Sequence, residues 1–285
     1  MSSQSVLQRY EKECRNLARS HYENFIVASV LLPRRLRQPF YNVYAFCRTA
    51  DDLADESPSP QIALHELDSL QEQLDATFAG NPPENLFTAL ADTIEQFDLP
   101  KQPFDDLLSA FRQDQSVTRY PTFDAVHDYC QRSANPVGRI VLQLAGAVDA
   151  ENVALSDSIC TGLQLVNFWQ DVARDYAIDR IYLPRETMDA FAVDEAMFSE
   201  RSTSAELRRA IHQQCDLAER FLRRGLPLAQ RVPRWFASDV KLFAHGGLAT
   251  VKAIRQIDYD VLRVRPKVGK FKQVALIARA MTGLL

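Results

Sequence analysis

The chain reads as an all-α protein, and three observations predict this. Glycine is scarce, 9 in 285 residues, or about 3% against a usual ~7%, which leaves few positions for tight hairpins or phosphate-cradling loops. Helix-breaking clusters are widely spaced, and between them apolar residues recur at three- and four-residue steps. No alternating run with a hairpin signal, no internal repeat and no low-complexity tract is present.

Composition narrows the function classes. Apolar residues are 46% and charged residues 25% of the chain, the proportions of an ordinary globular protein, which excludes disorder, collagen and disulfide scaffolds. Thirty-three basic against 37 acidic residues leave a net charge of −4, so no nucleic-acid partner is expected. Cys14, Cys47, Cys130, Cys160 and Cys215 are odd in number and form no C-x-x-C, and the five histidines are scattered, which supports neither zinc nor a disulfide framework. The N-terminus lacks the apolar core of a signal peptide, and no uncharged apolar run approaches the ~20 residues of a membrane span. A cytoplasmic protein is expected, at most peripheral at the inner membrane face.

Taken in order, breaks fall at 56–60 (ESPSP), 80–84 (GNPPE), 99–103 (LPKQP), 120–122 (YPT), 181–185 (IYLPR) and 231–234 (RVPR). The segments 104–119 and 202–225 are long enough for several helical turns, and in the second Leu207, Ile211, Cys215, Ala218 and Leu222 follow the helical period. No composition shift marks a linker, so residues 1–285 are expected to form one domain. From Val261 onward six basic residues (Arg263, Arg265, Lys267, Lys270, Lys272, Arg279) occur with no acid. A solvated face, a basic rim beside an anionic substrate and a weak contact with acidic lipid all fit that tail.

Two acidic segments carry the chemistry. In YAFCRTADDLADE, at about 100° per residue from Tyr44, Arg48 lies near 40°, Asp51 near 340°, Asp55 near 20° and Asp52 at the edge near 80°. In QLVNFWQDVARD, counting from Gln164, Asn167 lies near 300°, Asp171 near 340° and Asp175 near 20°. In both, Ala, Leu, Val, Phe or Trp fill much of the remaining circumference, which is too apolar for a simple solvated face. Buried carboxylates must be paired, protonated or metal-bound. Hard oxygen ligands suit Mg²⁺, which takes its other oxygens from water and a substrate phosphate. A di-iron bundle would need Glu-x-x-His pairs and an NAD enzyme G-x-G-x-x-G; neither occurs. The expected chemistry is ionisation of an allylic or cyclopropylcarbinyl diphosphate, with aromatic faces available to stabilise a carbocation.

These residues, with LLPRRLRQPFYNVYAFCRTADDLADE before Ser57 and QLVNFWQDVARDYAIDRIYLP ending at Pro184, resemble the squalene/phytoene synthase family over nearly the whole chain. The resemblance implies a single all-α isoprenoid synthase (class I) domain, a helical bundle around a central apolar cavity, with two Asp-rich helices facing each other across Mg²⁺–diphosphate. HYENFIVAS, YCQRSANPVG and NFWQD are most similar to the bacterial hydroxysqualene-forming branch of squalene and hopanoid biosynthesis. Condensing relatives tend to carry Ser where this chain has Asn24, Gly-Thr where it has Asn135-Pro136 and Arg where it has Gln170, and a Tyr near 246–248 that is missing here.

By this resemblance the substrate is presqualene diphosphate, converted with water to hydroxysqualene and diphosphate. Asp51, Asp55, Asn167, Asp171 and Asp175 would chelate Mg²⁺, with Asp52 less central. Arg48 would neutralise diphosphate oxygens, and His21, Asn24, Gln164 and Gln170 would bind the diphosphate or its waters. Tyr44 and Tyr129 would line the cavity near the cation, and Asn135 is a candidate anchor for the quenching water. Neighbouring squalene-pathway enzymes are candidate partners. Three alternatives stay open: a head-to-head condensing transferase, a non-catalytic scaffold, and a class I terpene cyclase.

Overall fold

The computed structural model describes residues 3–20, 32–269 and 279. His21 and Asn24 therefore lie outside the described residues, as do Lys270 and Lys272. The described helices are α1 (Ser3–Ser20), α2 (Arg34–Asp55), α3 (Pro60–Phe78), α4 (Leu86–Phe97), α5 (Gln102–Gln113), α6 (Phe123–Ser133), α7 (Asn135–Leu144), α8 (Ala150–Ala177), α9 (Arg185–Phe191), α10 (Ala205–Gly225) and α11 (Arg234–Gln256). The all-α expectation holds: among the described residues the only β pairing is an isolated parallel bridge between Arg119 and Ile181. No described helix is long and apolar enough to cross a membrane.

Each expected break coincides with a helix boundary, for a local chemical reason. Ser59, Asn85 and Thr122 cap α3, α4 and α6 by accepting from the backbone N–H of Ile62, Phe87 and Ala125, which satisfies donors a helix start leaves orphaned. Pro33, Pro184 and Pro233 immediately precede α2, α9 and α11, where the residue's fixed φ is compatible with a helix start. Asp149 and Ser204 cap α8 and α10; no break before Ala150 was expected.

The chain divides into two compact units, residues 1–116 with 139–148, and residues 117–138 with 149–285. In the first, Phe46 at zero exposure packs edge-on against Phe104 at 5.2 Å and Phe87 at 6.1 Å. Leu67, Leu74, Leu90 and Leu108 complete that core. The buried Asn42 of α2 donates to the Ala89 carbonyl and to Thr93, both at 3.0 Å, so α2 is tied to α4 and its register is fixed. These contacts leave the Tyr44–Arg48–Asp51–Asp55 stripe as the less buried side of α2.

In the second unit α8 packs along α10. A Cβ on Gly162 would come within 3.0 Å of the Leu222 backbone nitrogen, and one on Gly225 within 2.7 Å of the Leu155 carbonyl, so these two glycines permit the close approach. Leu165, Val166, Phe168, Trp169 and Val172 of α8 are buried, as expected for its apolar side.

Candidate functional site

On α2, Arg48 sits among carboxylates. Its Nη1 lies 3.1 Å from Asp51, its Nη2 contacts Asp52 and reaches Glu56 at 3.7 Å. The helical spacing explains this: three, four and eight residues on from Arg48 are the positions its side chain can reach on the same face. Asp51 keeps 42% side-chain exposure, yet its pKa is raised, first by burial of its surroundings and then by the charge of Asp55. Tyr44, at the head of the stripe, is also raised, chiefly by burial. Cys47 is pushed up to about 12 by burial, so it stays a neutral thiol.

On α8, Asp171 is clasped by Arg265 through both carboxylate oxygens, with Nη2–Oδ2 at 2.9 Å and a shorter Nε–Oδ1 contact. Asp175, one turn on, is pushed up to about 7 by burial and then by Asp171, with Arg180 and Arg174 pulling the other way. The neighbouring Gln170 donates to the Pro266 carbonyl at 2.6 Å. Asn167 is exposed and Gln164 half-buried on the same helix. The cavity beside Asp175, lined by Phe168, Trp169, Tyr182 and Leu207 among others, is about 10 Å³, room for little more than a water.

Two expected residues sit deeper than a cavity-lining role requires. Tyr129 is 4% exposed and packs with Tyr120, Phe168 and Tyr182. Asn135, 1% exposed, accepts from the Thr161 hydroxyl at 3.0 Å, which ties the start of α7 to α8.

No group of three or more His, Cys, Asp or Glu side chains is gathered in a metal-holding arrangement among the described residues. The donor chemistry still fits Mg²⁺. Each helix carries a carboxylate whose pKa is raised by burial and by a second carboxylate one turn away, and a hard divalent cation relieves that repulsion.

The Arg265–Asp171 pair was not anticipated. The sequence placed Arg265 in a basic tail, and nothing local signals that it reaches back 94 residues to α8. The partner of Gln170 was equally invisible, because a backbone carbonyl has no residue signature.

Comparison with known proteins locates the arrangement. The family model described as squalene/phytoene synthase matches residues 18–272. The 15-cis-phytoene synthase of Synechococcus elongatus is 28% identical, covering 97% of this chain and 94% of its own. The phytoene synthase of Arthrospira platensis is 29% identical, covering 94% and 91%. Among solved structures, squalene synthase HpnC from Alicyclobacillus acidocaldarius is 40% identical with a TM-score of 0.86, covering 91% of this chain and 99% of that one. A dehydrosqualene synthase in complex with ligand is 26% identical with a TM-score of 0.89, covering 99% of both.

Proposed function

We propose that this chain, which belongs to the squalene/phytoene synthase family, ionises presqualene diphosphate and adds water, giving hydroxysqualene and diphosphate. The observation that carries the reading is the state of position 170. Its amide is neutral and already donates to Pro266, where family members that condense two prenyl diphosphates resemble one another in carrying arginine. A site without that guanidinium suits one diphosphate better than two. The 40% identity to a squalene synthase structure, against 28% and 29% to phytoene synthases, supports a C30 substrate.

Residues 1–285 would serve as one catalytic domain. Asp51 and Asp55 of α2, with Asn167, Asp171 and Asp175 of α8, would hold Mg²⁺ through oxygen atoms. When bound, the cation supplies electrostatic stabilisation of the departing diphosphate. Arg48 places a positive charge on the α2 stripe for diphosphate oxygens, while its pairs with Asp51 and Asp52 fix its direction. Gln164 would bind the diphosphate or its waters. The apolar flank of α8, where Phe168 and Trp169 are buried, keeps water from the carboxylates' back side.

A second reading, head-to-head condensation of two prenyl diphosphates, is favoured by the phytoene synthase relatives that match nearly the whole chain. Mass spectrometry of products separates the two. Purified protein with Mg²⁺ is given farnesyl diphosphate in one reaction and presqualene diphosphate in another. Hydroxysqualene from the second reaction alone supports the leading reading. A C30 product from farnesyl diphosphate alone moves the chain to the condensing branch.

A further inference from the structure

Arg265 and Gln170 fasten one short segment onto α8. Arg265 spans both oxygens of Asp171, and the adjacent Gln170 bonds to the carbonyl of Pro266 at 2.6 Å. Pro266 is buried, while Arg263, Val264 and Lys267 around it are exposed. Upstream the segment is tethered: Arg263 pairs at 2.9 Å with Asp260. Asp260 is 2% exposed, accepts from the Thr203 N–H at 2.8 Å and pairs with Arg208 at 3.2 Å. The segment therefore has a fixed root at Asp260 and a polar latch at Gln170, with a cation placed on one carboxylate.

We propose that residues 263–267 form a strap in which Arg265 holds the place of a metal ion on Asp171, Gln170 latches the strap through Pro266, and metal binding at Asp171 releases it. The inference rests on the reading of Asp171 as a metal ligand. A guanidinium fork and a divalent cation compete for the same two oxygens, because a bidentate pair uses the lone pairs the metal needs. Linkage makes the effect reciprocal: whatever the strap subtracts from metal affinity, the metal subtracts from strap docking. The consequence is a site that loads its cation most readily when an anionic diphosphate arrives with it. Arg265 and Gln170 are positioning residues in this scheme, since they act through Asp171 and Pro266.

The full chain is titrated with Mg²⁺ in the presence of inorganic diphosphate, followed by calorimetry. In parallel, tryptic cleavage after Arg263 and Lys267 is followed by mass spectrometry; Arg265 precedes proline and resists trypsin. In the wild type, Mg²⁺ with diphosphate should speed both cleavages several-fold. Arg265→Ala should bind Mg²⁺ about tenfold more tightly, the scale of a lost charge-assisted pair, with Arg265→Lys between it and the wild type because an ammonium cannot fork. Gln170→Ala should be cleaved rapidly without metal. Circular dichroism confirms that each variant is folded, and the lysine variant carries the test should the alanine variant not be. Equal or weaker Mg²⁺ binding in both Arg265 variants, or cleavage indifferent to metal, overturns the strap. Asp171→Ala distinguishes the two levels: if it alone abolishes binding while the Arg265 variants change nothing, the metal reading survives and the strap does not. If Asp171→Ala binds Mg²⁺ as the wild type does, both fall.

Discussion

Phe168 and Tyr182 lie face to face, with ring centroids 3.8 Å apart and planes within 10° of parallel. Tyr182 is brought there by the chain on either side of it: Ile181 N–H bonds to the Thr118 carbonyl and Arg185 N–H to the Tyr120 carbonyl, both at 2.9 Å. Tyr120 stacks on the same ring at 5.6 Å, and Tyr129 packs on Phe168 at 6.2 Å. A single α8 side chain thus supports an aromatic cluster directly behind the acidic stripe. Phe168→Ala should cost about 3–5 kcal/mol in urea unfolding, as for other buried aromatics. Phe168→Leu, which keeps most of the volume, should cost under about 2 kcal/mol. Equal losses for the two would show that volume and stacking at this position do not matter.

The Thr161–Asn135 hydrogen bond separates a structural from a catalytic role for Asn135. Because the acceptor is 1% exposed, Thr161→Val leaves it without that donor and should cost about 1–3 kcal/mol of stability. The ratio of alcohol to hydrocarbon product should stay unchanged, since the bond orders α7 against α8 instead of holding a reacting water. A shift in that ratio at unchanged stability would return Asn135 to the water-anchoring role the sequence suggested for it.

How much of this was legible in the sequence follows from the range of the forces involved. Helix boundaries were readable because Ser59, Asn85, Thr122 and the prolines act within a turn of themselves. The acidic stripes were readable because 100° per residue places Arg48 with Asp51, and the ion pair at 3.1 Å bears this out. Arg265 on Asp171 and Gln170 on Pro266 were not readable, because each joins residues more than ninety positions apart in sequence. Tyr129 was placed at the cavity wall by resemblance, whereas its packing against Tyr120 and Tyr182 depends on where the 181–185 segment returns.

Asp239 on α11 gives a pH signature unconnected with the stripes. It is 3% exposed, one carboxyl oxygen lacks a hydrogen-bond partner among the described residues, and burial alone pushes its pKa up to about 7 from 3.8. A folded-state pKa above the unfolded one means the folded protein binds the proton more tightly. Stability from this group is complete below about pH 4 and lost as pH rises through about 7. Three units correspond to roughly 4 kcal/mol at most. Asp239→Asn should therefore be markedly more stable than wild type at pH 8 and nearly equal to it at pH 4, measured by urea unfolding at both. A variant equally stabilised at the two pH values would remove titration as the cause.

On α2 the two adjacent carboxylates should differ in what their loss does. Asp52 points its oxygen at Arg48 and is an edge position of the stripe, whereas Asp51 is one turn before Asp55 and feels its charge. Asp51→Asn removes one proposed metal ligand, and since electrostatic stabilisation of the leaving group depends on it, turnover of presqualene diphosphate should fall at least about a hundredfold. Asp52→Asn instead loosens Arg48, which still has Asp51 at 3.1 Å and Glu56 at 3.7 Å. Its effect should be nearer tenfold, seen mainly in KM, as expected for weaker positioning of a diphosphate-binding cation. The Mg²⁺ concentration giving half-maximal rate should rise in the Asp51 variant and stay put in the Asp52 variant. The reverse ranking would exchange their roles, making Asp52 the ligand and Asp51 the residue that orients Arg48.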